Sequence, residues 1–140
     1  MLVVLDVNVF VAAAITPAGV ARSVVEAGIA GRFDYVACPA LLGELADVLA
    51  RPKISRLVPG DVADRFIADV RGRARLEPDP TEPTAVSRDS DDDYLVALAI
   101  SVSADALVTG DADLLDVADP PVRIVALRPF LESLPGFESA

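Results

Sequence analysis

The stretch SRDSDDDYLVALAI (residues 87–100) holds aspartates at positions 89, 91, 92 and 93, directly ahead of an apolar run, in a chain whose formal net charge is already −10. Acids at a helix N-terminus meet unpaired N–H groups and the positive end of the macrodipole, so one cap and one first-turn acid are ordinary. Three acids in a row exceed that need and repel one another. Other acids have positions that could serve chemistry: Asp6 after an apolar start, Glu44 within PALLGELADVL, and Asp111 and Asp113 within ALVTGDADLL. Each also has a plain structural reading. Asp6 can be a turn residue, Glu44 a solvated helical acid, Asp91 and Asp92 a cap and a first-turn acid. Asp113 and Asp116 can cap a short helix near Leu114.

The rest of the composition narrows the chemistry sharply. The chain has no histidine and a single cysteine, Cys38. That excludes Ser-His-Asp and Cys-His catalysis, His-ligated or multi-cysteine zinc, and an internal disulfide framework. Any reaction here runs on carboxylates, hydroxyls, amides and arginine. The 140 residues are 53% apolar, enough for one ordinary domain with a full core, here read as residues 1–140. The start, MLVVLDVNVFVAAAI, lacks a basic leading region, and Asp6 and Asn8 interrupt it, so it does not read as a signal peptide. It is also too short to span a bilayer. It reads as a buried strand entering a loop, in a cytoplasmic protein.

These acids need elements to position them. The β-branched run 2–6 predicts a strand buried on both faces. Helical spacing predicts a helix over 19–30 stopped by Gly31, and DYVAC (34–38) a second strand. Pro39 suits the first turn of a helix to about Ala50, and 61–75 predicts another amphipathic helix. Three prolines within 77–83 mark a loop. A helix from the aspartate run to about Val102, strands at 106–109 and 122–127, and a short helix over 128–134 complete the chain. Alternating strands and helices predict an α/β fold, a three-layer sandwich with a mostly parallel central sheet. In such a sheet the carboxyl ends of strands and the amino ends of the following helices share one edge. Asp6, Glu44, Asp93 and Asp111 all fall there, where open α/β sheets bind ligands. Four converging carboxylates call for a countercharge, and oxygen-only ligands select a hard cation, Mg²⁺ or Mn²⁺.

Taken in order, LDVNVFVAA, Glu44 in its helix, DSDDDYLVALA and ALVTGDADLL resemble the PIN-domain family. The likeness is to its bacterial VapC-like branch, which supplies the toxins of toxin–antitoxin pairs, and it covers almost the whole chain. It implies a metal-dependent endoribonuclease whose acidic quartet is Asp6, Glu44, Asp93 and Asp111, with Asp6, Asp93 and Asp111 binding the metal. Asn8, Thr109 and Asp113 match polar supports of that site, and Asp92 joins them. One departure is Val7, where the family commonly has the hydroxyl of Thr or Ser. The resemblance also implies a cognate antitoxin protein and a homodimer, with no membrane partner.

Phosphodiester cleavage needs an activated water and relief of charge on the phosphate and leaving oxygen, which bound divalent ions supply. Glu44 would orient the water or hold a second ion, and Asn8 would contact a phosphate. An acidic protein still needs a track for RNA. Residues 51–75 carry seven Arg or Lys against three Asp, an excess of +4, and Arg71, Arg73 and Arg75 close that segment. A haloacid-dehalogenase-like phosphatase is the competing enzyme, since DVN and GDADLLD echo its acidic motifs. That reading leaves Glu44 and the triple aspartate without a role. A catalytically inactive, partner-binding domain is the non-enzymatic alternative.

Overall fold

A computed structural model describes residues 1–81 and 93–136. The chain runs β1 (Leu2–Leu5), α1 (Val7–Ile15), α2 (Val20–Ile29), β2 (Asp34–Ala37), α3 (Pro39–Leu49), α4 (Pro52–Ser55), α5 (Gly60–Arg73) and β3 (Arg75–Leu76). After the acidic segment come α6 (Asp93–Ser101), β4 (Ala106–Val108), α7 (Ala112–Leu115), β5 (Ile124–Val125) and α8 (Leu127–Ser133). The described strands form one parallel sheet in the order β3-β2-β1-β4-β5. The chain steps outward from β1 to β3, then returns past β1 to β4 and β5. Right-handed crossovers therefore place the helices of the two journeys on opposite faces. On one face α1, α2, α3, α5 and α8 pack together, and on the other α6 lies over β1 and β4. This is the three-layer sandwich that the alternating pattern predicts.

The central strands are apolar on both faces because both faces are covered. Val3, Val4 and Leu5 of β1 and Leu107 and Val108 of β4 are fully buried. A cluster of rings holds the helical layer to β2. Phe33 meets Phe130 of α8 edge-on at 5.0 Å, Tyr35 lies 6.0 Å from Phe10 of α1, and the Tyr35 hydroxyl donates to the Val70 carbonyl of α5 at 2.6 Å.

Three local readings change. The residues after Asp6 are helix α1 and not a loop. Val7, Val9, Phe10, Val11 and Ala13 are all buried there, so the helix is apolar nearly all round and shows no polar stripe to betray it. The helix expected over 61–75 ends at Arg73. Ala74 turns extended (ψ 148°), and Arg75 and Leu76 pair with Val36 and Ala37 as an exposed edge strand. Pro52, at a first helical position, opens the short α4, which the spacing did not predict. Gly31 does stop α2, at φ +83°.

Two glycines make opposite predictions. A Cβ at Gly28 would lie 2.9 Å from Tyr35 Cδ1 and 3.0 Å from Phe33 Cζ, both on rigid rings, whereas one at Gly43 in α3 meets nothing within 4 Å. Gly28→Ala should therefore cost about 1–3 kcal/mol, and Gly43→Ala should stabilise by about 0.5–1 kcal/mol. Urea unfolding of the two variants checks both signs.

Core burial also predicts an alkaline limit. Burial, aided by the nearby Asp79, pushes the Cys38 thiol from 9.0 up to about 11, and burial pushes the Tyr35 phenol from 10.0 up to about 12. In both groups the folded state holds the proton more tightly than the unfolded chain. The stability they contribute is complete below pH 9 and is lost as pH rises through the folded values. Cys38→Ala should flatten the part of that loss between pH 9 and 11, measured as urea midpoints against pH.

Candidate active site

The sheet reverses its direction of growth at β1, so the crevice between β1 and β4 is the topological switch point. Asp6 and Thr109 are the residues that follow these two strands. Leu5 is in register with Val108, and the Asp6 N–H donates to the Val108 carbonyl at 3.0 Å. Thr109 is held from the other side, its N–H donating to Val125 of β5 at 3.1 Å. Strand pairing thus aligns the two side chains before either makes a contact of its own.

Asp6 is a carboxylate only 1% exposed. Thr109 Oγ1, fully buried, donates to its Oδ2 at 2.7 Å, and the Asn8 N–H donates to its Oδ1 at 3.1 Å. Thr109 Oγ1 in turn accepts from the Asp111 N–H at 3.0 Å, and Asp111 Oδ1 accepts from the Asp113 N–H at 2.8 Å. Asp6 and Asp111 are therefore tied together through one hydroxyl. Both are also N-caps, of α1 and α7 respectively. The cap of α7 is Asp111, with Asp113 in its first turn and Asp116 at its C-terminal end, a correction to the capping roles read for Asp113 and Asp116. The Val7 side chain is buried and apolar, and the hydroxyl against Asp6 comes from Thr109, the residue after β4.

Glu44, half-buried on α3, accepts from the Tyr94 hydroxyl through Oε1 at 3.5 Å. Burial, and then the charges of Glu44, Cys38 and Asp6, push the Tyr94 phenol above its ordinary value, so it keeps its proton. Tyr94 thus stands between Glu44 of α3 and Asp6 at the end of β1. No sequence motif marks it as a site residue, although it directly follows the aspartate run. Asp93 opens α6, which packs over β1 and β4, but its side chain lies outside the described residues, as does Asp92. Asn8 is exposed and meets Asp6 through its backbone.

The chemistry of this set suits a hard cation. The carboxylates and hydroxyl offer oxygens, the Cys38 thiol at the same edge is kept protonated by burial, and among the described residues Asp6 makes no ion pair, only bonds from neutral groups. A carboxylate so buried is costly unless a countercharge meets it. Among the described residues no three Asp, Glu or Cys side chains gather around one point, so a cation cage needs a further ligand beyond Asp6 and Asp111.

The three candidate arginines separate. Arg71 lines an open groove of about 350 Å³ with Ala37, Cys38, Pro39, Leu42, Leu76 and Glu77, at the carboxyl ends of β2 and β3. Arg73 lies beside Gly31, before β2 begins, at the other end of that strand. Arg75 is in β3, and its Nε pairs with Glu77 at 2.9 Å. They do not form one helical face.

Comparison with known proteins decides the family. The PIN-domain family model matches residues 2–113. The chain belongs to the PIN-domain family. PIN domains are nucleases, so the phosphatase alternative falls away. This PIN domain is 26% identical over 117 residues to an uncharacterized protein of Methanocaldococcus jannaschii, covering 84% of this chain and 75% of that one. Its fold is similar to that of a chain in the structure of VapBC2 from Rickettsia felis bound to a DNA fragment from their promoter. There the TM-score is 0.62 at 14% identity, over 90% of this chain and 98% of that one. It is also similar to PAE2754 from Pyrobaculum aerophilum, with a TM-score of 0.61 at 19% identity over 92% and 85% of the two chains. No single helix among the described residues is long and apolar enough to cross a membrane.

The separated arginines predict separable effects on nucleic-acid binding. Arg71→Glu should weaken binding of single-stranded RNA and lower the slope of log affinity against log salt by about 1. Arg73→Glu should leave that slope unchanged. Fluorescence-anisotropy titrations at three salt concentrations distinguish the two.

Proposed function

We propose that this PIN domain is an Mg²⁺- or Mn²⁺-dependent endoribonuclease that acts as the toxin of a toxin–antitoxin pair. The observation that carries the reading is the Asp6–Thr109–Asp111 chain of hydrogen bonds at the switch point, in which one hydroxyl donates to the Asp6 carboxylate and accepts from the Asp111 N–H. Asp6 and Asp111, joined by Asp93 from the start of α6, would hold the cation. When bound, it would supply charge relief to the phosphate and activation of water. Thr109 fixes one oxygen of Asp6 and the backbone of Asp111, so neither carboxylate has to be ordered when substrate arrives. Glu44 orients the attacking water, and Asn8, exposed at the first turn of α1, contacts a phosphate. Asp92 and Asp113 are supports, the latter through its N–H to Asp111. The RNA backbone enters over Arg71, in the groove beside Cys38.

The fold similarity to a chain of a VapBC2 complex supports a protein partner of the antitoxin kind for this chain. We take residues 1–140 as a single nuclease domain that works in the cytoplasm, as a homodimer.

Purified protein should cleave single-stranded RNA with Mg²⁺ and lose cleavage in EDTA. Asp6→Asn, Asp93→Asn and Asp111→Asn should each lower the rate by on the order of 100-fold, a loss of roughly 2.7 kcal/mol of transition-state stabilisation. Asp116→Asn should leave the rate unchanged. Full cleavage without divalent ions would overturn the mechanism. Loss of activity in Asp92→Asn with retention in Asp93→Asn would move the ligand by one residue. An inert wild type that still binds a partner protein would favour the inactive-domain alternative.

A further inference from the structure

We propose that Tyr94 is the positioning residue of this site, holding Glu44 through its hydroxyl; the proposal rests on the nuclease reading given above. Tyr94 is the second residue of α6, on the face of the sheet opposite α3, which carries Glu44. The two meet across the carboxyl edge, where the Tyr94 hydroxyl donates to Glu44 Oε1 at 3.5 Å. Tyr94 is half-buried while the next five residues of α6 are buried, so its ring is anchored by the body of the helix. A phenylalanine would fill the same apolar space. Only the hydroxyl has a use among acids, and that use is to donate.

The residue type fits the task. A lysine or arginine here would neutralise Glu44 and oppose a divalent ion at the same edge. A phenol is a neutral donor at the pH of the cell, so it orients a carboxylate and leaves its charge intact. Fixing Oε1 fixes where Oε2 stands, and with it the direction in which a water bound to Glu44 points. Tyr94 adjoins Asp93 in sequence, so on this reading a candidate ligand and the residue that sets the attitude of Glu44 are neighbours at the start of α6.

The test compares Tyr94→Phe, Glu44→Gln and the double variant with wild type. In RNA cleavage at saturating Mg²⁺, Tyr94→Phe should lower kcat about 10- to 100-fold, the scale of losing a partner that orients a site carboxylate, with KM changed less than about twofold. The double variant should be no slower than Glu44→Gln alone, because Tyr94 acts only through Glu44. Losses that multiply, or an unchanged kcat in Tyr94→Phe, would overturn the proposal. A readout independent of activity uses the protein's two tyrosines. With ¹³Cζ-labelled tyrosine, Glu44→Gln should move the Tyr94 resonance and leave Tyr35 in place. An unmoved Tyr94 signal overturns the contact even if Tyr94→Phe fails to fold. A wild type that cleaves no RNA, with a Tyr94 signal that still moves, would overturn the nuclease reading while supporting the contact.

Discussion

A buried carboxylate is the constraint around which this molecule is arranged. Asp6 is almost wholly removed from water, at the end of β1 and against the end of β4. Leaving such a group unpaired would cost several kcal/mol. The fold meets it with the Thr109 hydroxyl on one oxygen and a helix N-terminus on the other. For Thr109 to stand there, β4 must pair with β1 in the observed register, and β5 must hold the Thr109 N–H. For the helix to begin at Val7, the chain must turn directly out of β1. A slip of one residue between β1 and β4 would turn the hydroxyl to the other face of the sheet.

Capping and ligation look like rival explanations for an aspartate, and here they share the same side chains. Each cap takes one lone pair of one oxygen, from Asn8 N–H on Asp6 and from Asp113 N–H on Asp111. An ionised carboxylate offers about four acceptor positions. The cap orients the carboxylate and spends only part of its capacity. The helix dipole adds a positive potential at the same place. A capping acid at a strand end is therefore already oriented, with lone pairs to spare, which is what a cation ligand requires.

The centre of the sheet was largely legible in the sequence because its central strands are buried on both faces, and continuous β-branched runs such as LVVL signal that directly. The position of the acids was legible for a topological reason: in a parallel sheet, strand ends and helix starts share an edge whatever the side chains do. What stayed hidden was set by tertiary contacts. Helix α1 is buried nearly all round, so its residues carry no amphipathic stripe. Strand β3 has two residues, too few for any period, and it exists through pairing with Val36 and Ala37. Tyr94 read as one more apolar residue of a helix, because its acceptor lies 50 positions away on α3. The three arginines looked like one surface because they alternate along a short segment. A helix ending at Arg73 and a strand starting at Arg75 send them to separate places.

The same geometry bears on how a chain of net charge −10 can work on a polyanion. At physiological salt, charges beyond about 8 Å are largely screened, so a phosphate at the edge responds to its near neighbours. In the groove beside Cys38 those neighbours are Arg71 and Glu77, with Asp79 against the Cys38 thiol and Arg75 paired with Glu77, two charges of each sign. There the local balance does not repel a backbone, although the average over the chain would. Closer to Asp6 the balance turns negative, and phosphate and carboxylates can share that space only with a cation between them. The site therefore couples its two requirements. On the metal-dependent reading proposed above, the ion held by Asp6 and Asp111 would also be what lets the substrate approach, and residual activity with the acids bare is not expected of such an edge.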